Sequence, residues 1–138
     1  MTSVQLGDTG PGWSFGPLTR EDIVRYSGAT YDFVPFHHND EYARAHGYPS
    51  VFAHGPFPFG LLGSFLTRWF GPGSVVEYGV RFQEQVWPGD VLRAVGRVVE
   101  LLAPDAVFGP RARVEVMLLN QHGQAAVRGD AVVAVPSE

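Results

Sequence analysis

The stretch from Phe57 to Phe70 constrains the fold more than any other part of this chain. Its apolar residues, Leu61, Leu62, Phe65, Leu66, Trp69 and Phe70, lie nearly all round a helical projection, and Arg68 is the lone charge. Pro56 and Pro58 stand early, where a missing backbone donor costs little, and Gly71-Pro72-Gly73 forms a stop, so the spacing predicts a helix from Pro56 to Phe70. The run is about fourteen residues, short of the roughly twenty that a membrane span requires. A helix apolar on every side must therefore be enclosed by other protein. Gly60, Gly63 and Ser64 would let a sheet approach its backbone closely.

The periodicity after Gly73 supplies that enclosure. Strand-type patterns run from Val75 to Trp87, Val91 to Leu102, Arg111 to Gln121 and Ala125 to Val135. They are separated by Pro88-Gly89-Asp90, Ala103-Pro104-Asp105 and His122-Gly123, and Val114, Val116 and Leu118 alternate with Glu115 and Met117 as a half-buried strand requires. With an edge strand at Trp13 to Phe15, the expectation is an antiparallel meander of about five strands curved around one apolar helix, an α+β architecture. A chain of 138 residues that is 45% hydrophobic supports one core, so residues 1–138 are read as a single domain. No internal repeat or low-complexity segment is visible.

Two short helices are expected ahead of the apolar one. Thr19 is placed to cap the first, with Asp22 three residues on, and Ile23, Val24 and Tyr26 form its apolar stripe before Gly28 ends it. Asn39 is placed to cap the second, through Tyr42, Ala43 and Ala45 to Gly47 and Pro49, with Asp40 and Glu41 at its positive end. Between them lies Tyr31-Asp32-Phe33-Val34-Pro35-Phe36-His37-His38. Pro35 stiffens this loop, so one acid and one imidazole, Asp32 and His37, are able to converge on a single water.

Charge and composition remove several functions. The net charge is −4 and the ten basic residues are scattered, so no nucleic-acid partner is expected. All ten are Arg, which excludes a Schiff-base lysine, and the lack of Cys excludes thiol chemistry and disulfides and fits a reducing, cytoplasmic setting. Met1 to Gly12 lacks a basic patch followed by an apolar core, so neither export nor a membrane partner is expected. There is no nucleophile elbow, dinucleotide fingerprint or phosphate loop. His37, His38, Asp40, His46 and His54 carry no thiolate or paired-helix spacing, and no metal is expected.

Three segments, in order, resemble the MaoC-like (type 2, R-specific) enoyl-CoA hydratases and dehydratases of the hotdog fold. Asp32-Phe33-Val34-Pro35-Phe36-His37 followed by Asn39-Asp40-Glu41-Tyr42-Ala43 is similar to that family's Asp-x-Asn-Pro-x-His loop and acidic helix. Ala53-His54-Gly55 leads into the central helix, and Val80-Arg81-Phe82 runs on to Pro88-Gly89-Asp90 like the family's Arg-Phe strand.

The resemblance implies a lyase acting on trans-2-enoyl and 3-hydroxyacyl thioesters of coenzyme A or acyl carrier protein, with no cofactor beyond that carrier. It assigns Asp32 as base, His37 as proton donor and the Gly55 N–H as oxyanion donor; since Pro56 and Pro58 have no N–H, Gly55 and Phe57 are the free donors expected in that turn. His54, Phe57 and Arg81 are candidate substrate contacts, with packing or capping the alternative for His54 and an ion pair to Glu77 or Glu84 for Arg81. Arg111 and Arg113 would either meet the carrier's phosphates or form a solvated strand face. Phe33, Phe36, Phe52, Phe57 and Phe59 would line a wide pocket or fill core. One position departs from the pattern: Val34 stands where the family has Asn. That departure keeps open a partner-dependent hotdog subunit of a heteromer beside the expected homodimer. A thioesterase is weaker, since no carboxylate occurs between Pro56 and Phe70.

Overall fold

A computed structural model describes residues 3–136. The elements are β1 (Trp13–Phe15), α1 (Arg20–Thr30), a 3-10 turn (Pro35–His37), α2 (Asp40–Ala45), α3 (Pro56–Phe70), β2 (Val75–Phe82), β3 (Leu92–Asp105), β4 (Gly109–Leu119) and β5 (Ala125–Ala134). All pairings are antiparallel, in the order β1-β3-β4-β5-β2. The α+β arrangement of a five-stranded sheet around the apolar α3 is the expected one.

The strand order corrects the simple meander. Only β3, β4 and β5 follow one another in space; β2 pairs with β5 at the far edge, so the chain after it must pass two strands to reach β3. For that reason β2 stops at Phe82 rather than at Trp87. The crossing is pinned by Asp90, whose carboxylate accepts from the Trp87 N–H at 2.8 Å and from Gln121 Nε2 at 3.0 Å. A second correction concerns Ala103-Pro104-Asp105, which lies inside β3 and not in a turn. The register shifts between Leu102 and Asp105, and this irregularity accommodates a residue with no N–H to give. The reversal comes after it, where Asp105 Oδ1 accepts from the N–H groups of Val107 and Phe108 at 2.7 and 3.0 Å.

Helix α1 starts as expected, with a reciprocal capping box between Thr19 and Asp22. It runs past Gly28 to Thr30 and ends at Tyr31, which adopts a left-handed conformation with φ 62°. An exposed glycine within a helix costs only about 1 kcal/mol, too little to end one whose first turn is doubly capped. Helix α3 buries Pro58, Leu62, Phe65 and Leu66, against the inward residues Ala112, Val114, Val116 and Leu118 of β4. Close approach is provided mainly by the sheet and not by the helix glycines. A Cβ at Gly96 would lie 2.8 Å from the Trp69 ring and 3.0 Å from that of Phe65, whereas nothing stands near Gly60 and only Tyr78 comes close to Gly63. The outer face is polar: Arg113 bridges Glu100 and Asp130, both at 3.1 Å. Among the described residues no helix is long and apolar enough to cross a membrane.

Candidate active site

The site grows from three segments tied together through main-chain groups. The first is the extended run Val51–His54 before α3. Its Val51 N–H is accepted by Asp40 Oδ1 at 3.0 Å, its Phe52 N–H by the Phe36 carbonyl at 3.3 Å and its Ala53 N–H by the Val86 carbonyl at 2.8 Å. Asp40 also holds Arg20 at 2.9 Å, so it joins the starts of α1 and α2 to this run. The Val51 N–H first, then Arg20, hold its carboxyl below the usual range.

The second segment is the loop that leaves α1 through Tyr31. Asp32 Oδ1 accepts from the Val34 N–H at 3.2 Å, a local turn that uses only the backbone of residue 34. The Val34 side chain is 45% exposed, so the loop is closed without the amide that the resemblance leads one to look for there. His37 follows in the 3-10 turn, with Nδ1 2.7 Å from the Phe52 carbonyl. A carbonyl only accepts, so the proton sits on Nδ1, and Nε2 is the atom left to exchange one.

His54, in the third segment, is 1% exposed. Its Nε2 lies 3.1 Å from the Asp32 carbonyl and 3.0 Å from Ser27 Oγ, and its ring stacks on His37 with centroids 3.7 Å apart. Burial pushes its pKa down, the bond to the Asp32 carbonyl partly offsets this, and His37 pushes it further down. Tyr26 packs on His54 at 5.0 Å, and burial followed by the charge of Asp32 raises its phenol pKa.

One carboxylate oxygen of Asp32 and one ring nitrogen each of His37 and His54 lie within 4.8 Å of one another. Two groups that each bind a water at about 2.8 Å can stand up to about 5.6 Å apart, so Asp32 and His37 have the separation a bridging water needs. The two rings are stacked with their planes inclined by only 23°, and His54 Nε2 lies against the Asp32 carbonyl. Gly55 opens α3, and its N–H donates to no acceptor among the described residues.

Other candidates are dispersed. The Phe57 N–H, expected to be free, donates to the His54 carbonyl at 3.0 Å, which corrects that reading and leaves Gly55 as the donor. The Phe57 ring packs on Tyr26 and Phe15 in the core. Arg81 is not brought to the cluster: it pairs in register with Arg128 on the outer face, and among the described residues it makes no ion pair with Glu77 or Glu84. Arg111 and Arg113 serve ion pairs with Asp105, Glu100 and Asp130. His38 and His46 are exposed and bond local carbonyls. The five phenylalanines do not share a pocket. Phe36 and Phe52 pack together with Tyr48, Phe59 stacks on Tyr78, and Phe33 meets Tyr31 at the surface. Sequence reasoning missed Ser27, although its spacing was a signal: it stands one turn after buried Ile23, a polar residue on the stripe that faces the core.

The model of the MaoC like domain matches residues 14–114, which include every segment of this site. The chain belongs to the MaoC-like family. This MaoC-like chain is 29% identical over 122 residues to the (R)-specific enoyl-CoA hydratase of Rhodospirillum rubrum, covering 87% of this chain and 81% of the relative. It is also 29% identical over 124 residues to the 3-hydroxybutyryl-CoA dehydratase of Methylorubrum extorquens, covering 88% and 75%. The R-hydratase PhaJ1 of Pseudomonas aeruginosa shares the fold with TM-score 0.84 at 24% identity, over 98% of this chain and 84% of that one. The ChsH1-ChsH2 complex of Mycobacterium tuberculosis contains a similar chain, with TM-score 0.82 at 22% identity and coverage of 96% and 98%.

Proposed function

We propose that this MaoC-like protein hydrates trans-2-enoyl thioesters, and in reverse dehydrates 3-hydroxyacyl thioesters, through a water held between Asp32 and His37. The single observation that carries this reading is the separation of at most 4.8 Å between an Asp32 carboxylate oxygen and a His37 ring nitrogen, beside the unengaged N–H of Gly55. The names of the two curated relatives support it.

In the hydration direction Asp32 takes one proton from the water, and the hydroxide oxygen bonds to C3. The C2–C3 π pair moves toward C2 and the thioester oxygen, where the Gly55 N–H holds the developing negative charge. His37, protonated at Nε2, then delivers its proton to C2, and the neutral ring left behind is the Nδ1–H form that the Phe52 carbonyl favours. Return of the proton from Asp32 to His37 resets the site. Atoms and charge balance without a metal or a cofactor, the carrier of the thioester being either coenzyme A or acyl carrier protein.

We infer further that the working unit is a cytoplasmic dimer, with a second copy or a second hotdog subunit over the site. Tyr31 is 87% exposed, Phe33 55% and Phe82 55%, an apolar rim around the catalytic loop. The ring of Phe82 lies 3.7 Å from where a Gly55 side chain would begin, so this rim touches the oxyanion position. A strictly monomeric mass in ultracentrifugation, with full activity, would remove the inference.

The test of the reaction is the loss of enoyl-thioester absorbance with trans-2-enoyl-CoA substrates from short acyl to steroid side-chain length. Asp32→Asn and His37→Ala are each expected to lower kcat by about 10²- to 10⁴-fold with the melting temperature little changed. Activity that survives both substitutions would sink the assignment. An isolated wild-type chain that is inert but turns over after a second hotdog subunit is added would establish the heteromeric form.

A further inference from the structure

We propose that His54, itself held by Ser27, forms a buried clamp on the main-chain carbonyl of Asp32, so that His54 serves the reaction as a positioning residue and not as a substrate contact. The inference rests on the hydratase reading of Asp32 and His37 for its kinetic consequence, though the clamp itself is a matter of geometry.

At 1% exposure the His54 ring is closed to an acyl thioester. Its hydrogen bonds are defined by elimination. The Asp32 carbonyl, 3.1 Å from Nε2, can only accept, so the proton sits on Nε2, and Ser27 Oγ at 3.0 Å from the same nitrogen shares it. Nδ1 is then a bare acceptor, and it is buried with no partner among the described residues. Protonating it would place a charge where nothing receives it, which disfavours the cation.

The groups that face the ring give the same answer. His37 from the 3-10 turn stacks on it and opposes a second positive charge, while Tyr26 from α1 packs on it at 5.0 Å. Asp32 favours a proton there, chiefly through the carbonyl already bonded to Nε2, and burial outweighs it. A ring that stays uncharged at 3.7 Å lets His37 take up its catalytic proton without a cationic neighbour. The clamp thus fixes both the origin of the Asp32 side chain and the face against which His37 rests. Neither Ser27 nor His54 is needed to touch the thioester.

The decisive set of variants is His54→Ala, His54→Gln and Ser27→Ala, assayed with the enoyl-CoA that the wild type turns over. Removing the clamp in His54→Ala is expected to lower kcat by about 10- to 100-fold with KM little changed, since misplacement of the acid by about 1 Å has that effect. Ser27→Ala should show a smaller loss of the same kind. His54→Gln should recover most of kcat, because its amide N–H reaches the same carbonyl and does not titrate. A raised KM with unchanged kcat in His54→Ala would overturn the proposal in favour of substrate contact, as would a Gln variant no better than Ala.

A second readout does not depend on turnover. Nitrogen-15 spectra of the full chain should show His54 as the Nε2–H tautomer, staying neutral to a lower pH than an ordinary histidine does. Amide exchange at Val34 should quicken in His54→Ala and not in His54→Gln. An Nδ1–H tautomer or a charged ring would overturn the clamp. The expected spectra in a protein inert toward every enoyl thioester, alone and with a second hotdog subunit added, would instead retain the clamp and remove the hydratase reading.

Discussion

Two exposed reversals of this chain carry large apolar side chains into solvent, yet they are held in opposite ways. The tip between β3 and β4 presents Val107 and Phe108 and is fixed by one side chain, Asp105, bonded to two N–H groups within three residues. The loop from Tyr31 to His38 presents Tyr31, Phe33 and Val34, but its bonds reach into buried structure: the Asp32 carbonyl to His54, the His37 ring to the Phe52 carbonyl, and the Phe36 carbonyl to the Phe52 N–H. Local bonds stabilise a turn. Bonds to a buried run before a core helix fix positions relative to the rest of the molecule, which is the requirement of general acid–base chemistry and is absent at the hairpin tip.

Gly55→Pro should separate the two regions most sharply. It removes the N–H proposed to meet the oxyanion while a φ of −53° suits proline, so kcat is expected to fall by about 10²- to 10³-fold in a folded protein. Gly55→Ala keeps the N–H and brings its Cβ only into ordinary contact with the Phe82 ring at 3.7 Å, so it should retain most of the activity. Equal damage in both would mean that the loss comes from packing at the rim.

Acid should weaken the catalytic side next. His54 has a lowered pKa in the fold, so below its ordinary value near 6.5 the unfolded chain takes up a proton that the folded one resists, and stability drops as pH falls from there. Urea unfolding at a series of pH values should show a shallower fall in His54→Gln, and parallel curves would refute it. At the hairpin, Asp105→Ala should cost about 1 kcal/mol, the scale of a net hydrogen bond, with kcat unchanged. Phe108→Ser should be smallest, within about 0.5 kcal/mol in either direction and silent in the assay. A loss of turnover in either hairpin variant would show that the tip reaches a catalytic assembly.

Much of this comparison was readable in the sequence, for identifiable reasons. The helix at Pro56–Phe70 and the caps at Thr19 and Asn39 rest on contacts within a few residues, and these survive folding unchanged. The place of β2 beside β5 was not legible, because strand order depends on where a connection crosses and not on the strand's own pattern. Asp32 and His37 were picked out by the resemblance of their loop, since the spacing around Pro35 is by itself a weak signal, and the fold brings them within 4.8 Å of each other. For Ser27 the spacing after Ile23 marked only a polar residue on the buried stripe of α1; its partner is 27 positions away, and no local rule joins it to a histidine ahead of α3. Arg81 was misplaced by a related limit. Alternation along β2 puts Phe82 and Arg81 on opposite faces, but only the sheet tells which face is inward.

The loop from Tyr31 to His38 is closed by the Val34 N–H and by the carbonyls of Asp32, Phe33, Phe36 and Phe52, atoms that every amino acid but proline supplies alike. The side chains at positions 33 and 34 are thereby released from holding the loop. Mutation can explore them for the shape of the acyl chain or the contour of a partner while the acid and the imidazole stay where they are. Chemistry and selectivity are thereby separable in this loop, one resting on Asp32, His37 and the histidines and main-chain groups that hold them, the other on the side chains at positions 33 and 34.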